Sequence, residues 1–265
     1  KSALGVICEG GILLTAEEVM FCHWHRHIPL QDDFVDKRLD EDPDFAHRCV
    51  AYDVARSGGE KVVPKDGVWL RWARDKHPSK GTPEAEIRWA RTCNTLDWSE
   101  LLQWTRTVTD SGMLSELAIV DDEMDVTMYR LSLIDPRGSL TPAIPGEQSD
   151  SIGVEHLSRR FIREDEANWT AGNDDDVTKL FGELNSRGLL MRPGFKYGCR
   201  WRVYDTPIDE SHAPWLMQME KDAANTWDGV CLSVRLAEGV NKGWVCVMDD
   251  GDWNFLQFRR HLPGR

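Results

Sequence analysis

The stretch SGGEKVVPKDGVWLRWARD at 57–75 returns, altered but in order, as SRGLLMRPGFKYGCRWRVYD at 186–205. Ser57, Pro64 and Gly67 fall opposite Ser186, Pro193 and Gly194, and the pair Arg71-Trp72 falls opposite Arg200-Trp201. Three more matches follow in the same order: TPEAE at 82–86 with APWLM at 213–217, NTLDW at 94–98 with NTW at 225–227, and ELAIVDDEMDVTMYRL at 116–131 with GWVCVMDDGDWNFLQF at 243–258. A repeat of this length constrains the fold more than any local pattern, because each copy has to be a folding unit in its own right. The 265 residues then divide into two units of ordinary size.

Each unit reads as mixed α/β. KVVPKDGVWLRW and LLMRPGFKYGCRWRVY each predict two short strands joined at a Pro/Gly turn. DWSELLQWTRTVTDSG and DGVCLSVRLAEGV then carry apolar residues at helical spacing. ELAIVDD and GWVCVMDD follow as strands, each broken by an acidic turn before a last strand. Near the start, Thr15 and Glu18 form a capping-box signal that opens a helix. The chain from 135 to 176 is rich in Pro, Gly, Ser and Asp and holds the boundary between copies. The predicted organisation is an α/β (mixed α+β) tandem repeat: 1–50 an N-terminal subdomain, 51–134 the body of the first repeat, 135–178 a linker with a degenerate N-terminal subdomain, and 179–265 the body of the second.

Composition excludes several classes. The chain is 41% hydrophobic and 29% charged, with a formal net charge of −13, which describes a soluble globular protein and argues against one that coats nucleic acid without specificity. No apolar run approaches the ~18 residues of a membrane span. The N-terminus lacks a secretory pattern, so a cytoplasmic location is expected. Seven scattered cysteines with no CxxC point to reduced thiols. CHWHRH at 22–27 offers Cys22, His23, His25 and His27 to a zinc ion, but no second cluster completes a ligand set; histidines beside a helix C-terminus account for it as well. Local charge departs from the average: between Asn185 and Tyr204 stand Arg187, Arg192, Lys196, Arg200 and Arg202 with no acid, whereas 121–125 (DDEMD) and 40–44 (DEDPD) read as acidic loops.

RPGFKYGCRWRVY, then SHAPWLM, then VRLAEGVNKGWV closely resembles the C-terminal catalytic domain of archaeal tRNA splicing endonucleases. In that family these three segments carry a Tyr, a His and a Lys, which fall here on Tyr204, His212 and Lys242. The first copy resembles the family's silent repeat: Asp75 stands opposite Tyr204, Gly81 or Lys80 opposite His212, and 107–129 contains no lysine. The resemblance therefore implies a homodimer of tandem repeats acting on precursor tRNA at a bulge–helix–bulge, without cofactor or metal. Two places depart from the family pattern, the segment 150–165 and Asn241.

The three side chains suit metal-free RNA cleavage, in which the substrate's 2′-hydroxyl attacks the phosphate to leave a 2′,3′-cyclic phosphate and a 5′-hydroxyl. An imidazole at His212 fits the acid role, since histidine is protonated in a useful fraction near neutrality. An ammonium at Lys242 fits the developing negative charge. A phenol is a poor base unless cations lower it, and Arg200, Arg202 and Lys242 are the cations on offer; the resemblance assigns the base to Tyr204. It also implies that Arg235, seven residues before Lys242 and so two helical turns away, stacks on a flipped base together with Arg259 or Arg260. Lys196 and Arg200 complete the expected RNA-binding set. Asp121, Asp122, Glu123 and Asp125 become the acidic loop that a partner's basic groove would receive. Two other readings stand beside this one. The chain could be a non-catalytic RNA-binding or assembly subunit, against which the complete Tyr204, His212 and Lys242 set argues, or a metal-dependent nuclease, which would require carboxylates in the basic stretch.

Overall fold

The structure, a computed structural model, describes residues 3–149 and 151–263; Lys1, Ser2 and Asp150, which the readings of the N-terminus and of segment 150–165 touch, lie outside them. It is mixed α/β, with seven α-helices among the described residues. None of those helices is long and apolar enough to cross a membrane. The chain forms two compact units, one of Lys1–Ser132 with Ala224–Cys231 and Phe258–Arg265, the other of Leu133–Ala223 with Leu232–Gln257.

Unit 1 begins with a hairpin of β1 (Val6–Cys8) and β2 (Gly11–Leu13), followed by α1 (Ala16–Arg26), α2 (Phe34–Glu41) and α3 (Phe45–Ser57). The capping box forms as the sequence predicts: Thr15 Oγ1 accepts the Glu18 N–H at 3.4 Å, and the Glu18 carboxylate accepts the Thr15 N–H at 2.9 Å and the Gly5 N–H at 2.8 Å. α1 stops because His27 turns into the left-handed region. The histidines of CHWHRH serve this helix end. His23 meets the Ile28 carbonyl at 2.9 Å, and His25 meets Asp53 of α3 at 2.5 Å.

The body of unit 1 is a sheet in the order β7-β6-β5-β4-β3, built from β3 (Lys61–Lys65), β4 (Val68–Trp72), β5 (Ala85–Arg91), β6 (Leu114–Val120) and β7 (Val126–Ile134), with α4 (Trp98–Asp110) between β5 and β6. β5 and β6 are parallel and the other neighbours antiparallel. A parallel pair needs a crossover, and α4 supplies it. Tyr52 and Ala55 of α3 pack on Val62, Trp69 and Ile87 to close one face. The 121–125 stretch is a turn between β6 and β7, as expected, with Asp121 accepting the N–H groups of Glu123 and Asp125.

Residues 151–261 follow a similar element order. The 150–165 segment, expected to be degenerate, holds a hairpin of β8 (Val154–His156) and β9 (Arg159–Phe161) and then α5 (Glu164–Thr170). Val154 pairs with Phe161 as Val6 pairs with Leu13, and the Glu166 carboxylate accepts the Arg163 N–H at 2.9 Å as Glu18 does for Thr15. Gly5 and Gly153 both sit at positive φ, where an added Cβ would lie within 2.7 Å of the facing strand. No counterpart of α2 is present among the described residues; α6 (Asp176–Ser186) follows directly. Beyond it come β10 (Leu190–Pro193), β11 (Trp201–Tyr204), β12 (Trp215–Met219), α7 (Trp227–Glu238), β13 (Gly243–Asp249) and β14 (Trp253–His261), in the sheet order β10-β11-β12-β13-β14. Here β12 and β13 are the parallel pair. The core of unit 2 gathers Phe181, Leu184, Trp201, Val203, Met217 and Val245.

Candidate active site

Sheet register positions the three candidate catalytic residues. Val203 pairs with Trp215, and Trp215 pairs with Gly243, so these three lie in one row across β11, β12 and β13. Tyr204 and Lys242 each stand one residue beyond that row, at the same end of the sheet. With strands about 4.8 Å apart, their backbones are separated by roughly 10 Å with β12 between them. The Gly243 N–H locks the row by donating to the Pro214 carbonyl at 2.9 Å. His212 sits two residues before that carbonyl, so all three side chains arise around the start of β12.

Alternation along β11 sends Trp201 and Val203 into the core and Arg202 and Tyr204 to the opposite face. There the Tyr204 ring packs with Leu190, Ala213 and Leu140 in a small cluster. Its hydroxyl has no hydrogen-bond partner among the described residues. Lys242 reaches the same place from the other side, its Nζ donating to the Ala213 carbonyl at 2.5 Å. Ala213 is thus the meeting point: it touches the tyrosine, accepts from the lysine, and follows His212 in the chain. The His212 ring is exposed and without a partner among the described residues, at the end of a loop braced by Thr206 and Ser211. Burial, and secondarily the charge of Arg202, hold the Lys242 ammonium below the ordinary lysine range.

The surrounding cations differ from the sequence expectation. Arg200, expected to face RNA and Tyr204, is paired with Asp222 at 2.7 Å and lies over the Trp201 ring. Arg187 is paired with Glu183 and Asp135, and Arg192 is buried against Glu166 and the carbonyls of Ser151 and Gly153. The stretch that reads as uniformly basic is therefore largely neutralised by carboxylates from elsewhere in unit 2. Neither Arg202 nor Lys196 has a carboxylate partner among the described residues. Arg192 is the cation that sequence reasoning gave no part at Tyr204. Burial, with Arg163 alongside, lowers its guanidinium, and Glu166 and Tyr204 act in the opposite sense.

Arg235 is exposed on α7, but the two-turn relation to Lys242 does not hold: the helix ends at Glu238, Asn241 takes a left-handed conformation, and Lys242 lies just before β13 begins at Gly243. Arg259 and Arg260 are exposed near the end of β14 and belong to unit 1.

Register also changes the correspondence that the sequence suggests between the two stretches. Pro64 pairs with Trp69 and Pro193 with Trp201, so Trp69, not Trp72, answers to Trp201. Lys61 pairs with Trp72 as Leu190 pairs with Tyr204, and the residue in the tyrosine's place is Trp72, not Asp75. Ala85 pairs with Leu114 as Trp215 does with Gly243, and Leu114 N–H donates to the Glu84 carbonyl as Gly243 does to Pro214. Thr82 and Met113 then occupy the places of His212 and Lys242, in place of the Gly81 or Lys80 read from sequence. The Arg-Trp match misled because the β10–β11 turn is longer than the β3–β4 turn, which a gapless comparison of short strings does not register.

A second feature of unit 2 is a cleft of about 430 Å³ lined by Arg163, Asp165, Asn168, Asp175, Arg200 and Trp201 among others. Arg163 Nη1 and Arg200 Nε lack hydrogen-bond acceptors although both atoms are enclosed.

Residues 177–255 match the family described as tRNA intron endonuclease, catalytic C-terminal domain. The chain is 27% identical over 158 residues to the tRNA-splicing endonuclease of Thermoplasma volcanium, covering 53% of each chain. It is 30% identical over 116 residues to that of Methanopyrus kandleri, covering 43% of this chain and 60% of the relative. It is 20% identical over 268 residues to that of Methanococcoides burtonii, covering 79% and 76%. The first two matches thus span about half and three-fifths of those relatives.

Proposed function

We propose that this chain is a tRNA-splicing endonuclease of the archaeal type, cleaving precursor tRNA at intron–exon junctions. The observation that carries the reading is the convergence of Tyr204, Ala213 and Lys242, with His212 adjoining, inside the matched segment 177–255. Tyr204, acting as phenolate, takes the proton from the 2′-hydroxyl and becomes the neutral phenol. The oxygen attacks the adjacent phosphorus, Lys242 faces the non-bridging oxygens, and His212 gives a proton to the departing 5′-oxygen. The products are a 2′,3′-cyclic phosphate and a 5′-hydroxyl. Base, acid and positive charge are all supplied by side chains, so the reaction is proposed to need no metal. Purified protein should cut a bulge–helix–bulge RNA in excess EDTA and leave ends of that chemistry. Cleavage abolished by EDTA, or 3′-phosphate ends with no cyclic intermediate, would contradict this mechanism.

In this reading the two units are a tandem of one endonuclease fold. The body at 179–265, with 135–178 before it, performs catalysis, while 51–134, preceded by 1–50, is silent because Trp72, Thr82 and Met113 replace the three reactive side chains. Two cuts release an intron, and two catalytic units require two copies. We assign the acidic turn Asp121, Asp122, Glu123 and Asp125 to the cleft holding Arg163 and Arg200 on a second copy, since the cleft has donor atoms without acceptors and the turn has acceptors in excess. Asp121→Lys with Asp122→Lys is expected to give monomers in sizing and light scattering; an unchanged dimer would refute this contact. Arg235 is proposed to stack on a flipped substrate base.

A further inference from the structure

The β10–β11 turn is longer than the fold demands. Between Pro64 and Trp69 of unit 1 lie residues 65–68, closed at Asp66-Gly67 with both residues at positive φ; between Pro193 and Trp201 lie residues 194–200. A two-residue corner is enough to join such strands. The added residues nevertheless form a rigid turn. Tyr197 N–H donates to the Gly194 carbonyl at 2.8 Å, Gly194 N–H to the Arg200 carbonyl at 2.9 Å, and the buried Cys199 thiol to the Trp201 carbonyl at 3.4 Å. Position 194 has to be glycine, since a Cβ would stand 2.3 Å from Cys199 Sγ.

This braced turn holds Phe195 91% exposed. One exposed apolar ring is ordinary on a protein surface, but the neighbours of this one are distinctive. Lys196 beside it is exposed and unpaired among the described residues. Arg202 lies 6.0 Å from the Tyr197 ring centroid and donates to the Pro193 carbonyl, with no carboxylate partner. These two cations stand without a carboxylate partner among the described residues, in a chain of net charge −13 where Arg187, Arg192 and Arg200 nearby are all paired. The turn also adjoins the site: Arg202 acts on Lys242, and Tyr204 lies three residues up β11 from Trp201, about 10 Å at strand rise.

We infer that Phe195 is a stacking platform for an unpaired base of the RNA substrate, a few nucleotides from the cut, with Lys196 and Arg202 facing the adjoining phosphates. Aromatic rings bind single-stranded bases through their faces irrespective of sequence, and uncompensated cations beside them follow the backbone. A protein partner is the lesser fit, because an apolar contact would have to bury two unpaired charges. The inference rests on the endonuclease reading, and its test separates the two.

Phe195→Ala should raise KM for a bulge–helix–bulge RNA about tenfold, as loss of one stacked base does, with a much smaller change in kcat and an unchanged melting temperature. Phe195→Trp should restore KM. In a Lys242→Ala background, which binds without cutting, fluorescence anisotropy with the same RNA should show the same tenfold loss on Phe195→Ala. Equal affinity with and without the ring would overturn the inference, and that measurement stands even if the unchanged chain fails to cleave. A shift of the Phe195→Ala protein to a smaller species in sizing would also overturn it, by showing the ring to be a protein contact.

Discussion

Lys242→Met is expected to lower kcat by roughly 10²–10³, the loss that follows removal of one group stabilising transition-state charge, while the melting temperature stays the same or rises. The two halves of this expectation come from one geometry. Lys242 is drawn in beside the Tyr204 cluster and donates to the Ala213 carbonyl, and burial together with Arg202 disfavours its charge. A lysine whose folded pKa lies below its unfolded value penalises the folded state fully at pH values below the folded pKa, where both states carry the proton. The penalty is relieved only as pH rises from there toward the ordinary lysine range. Below the folded pKa the chain bears the full penalty, and an apolar side chain removes it, a trade of stability against activity. The same shift sets the alkaline limb of the pH–rate profile, which should fall below the ordinary lysine range as the ammonium deprotonates. Arg202→Gln removes the second of the two causes, so the limb should move to higher pH even if overall activity is reduced. A limb that stays in place would mean that another group controls it, and a large fall in melting temperature for Lys242→Met would mean that the lysine is structural.

The sequence singles out Tyr204, His212 and Lys242, whose roles are proposals, because each lies in a contiguous segment with recognisable residues around it. Strands and helices were legible for a similar reason: β4, α4, β6 and β13 have local periodicity and clear punctuation. What the sequence concealed was pairing at a distance. Arg200 finds Asp222, 22 residues on, and Arg192 finds Glu166, 26 residues back; neither is visible when charges are read in windows. The hairpin and helix at 154–170 kept their glycine and capping glutamate, but the strand residues between became charged, so its pattern reads as linker. Similarly, the match of copies by the Arg-Trp string placed Asp75 opposite Tyr204, and only the hydrogen-bond register, counted from the two prolines, places Trp72 there.

That register also exposes a difference inside the two sheets, and with it the second large effect. Arg71 and Glu116 of unit 1 occupy the places that Val203 and Val245 hold in the core of unit 2. Glu116 is fully buried, and it takes the Arg71 guanidinium through two hydrogen bonds of 2.8 and 2.9 Å and Arg130 through a third of 2.7 Å. For Arg71, burial pulls the guanidinium down, but the hydrogen bond and charge of Glu116 outweigh it and leave it raised. Glu116→Ala should therefore cost about 3–5 kcal/mol, because it strands a buried cation rather than merely losing a contact. At ~2–4 °C per kcal/mol for a protein of about this size, the melting temperature should drop by about 10 °C. Glu60 and Glu84 lie within 3.5 Å of the same guanidinium but offer single contacts, and burial already raises the Glu60 carboxyl, so they replace little of what is lost. Arg71→Met with Glu116→Val rebuilds the apolar arrangement of unit 2, and replacing both partners of a buried pair is close to neutral where removing one is not. The double variant should recover most of the lost melting temperature. If it melts as low as the single variant, the two side chains are not acting as a pair, and the cost of Glu116→Ala lies in packing alone.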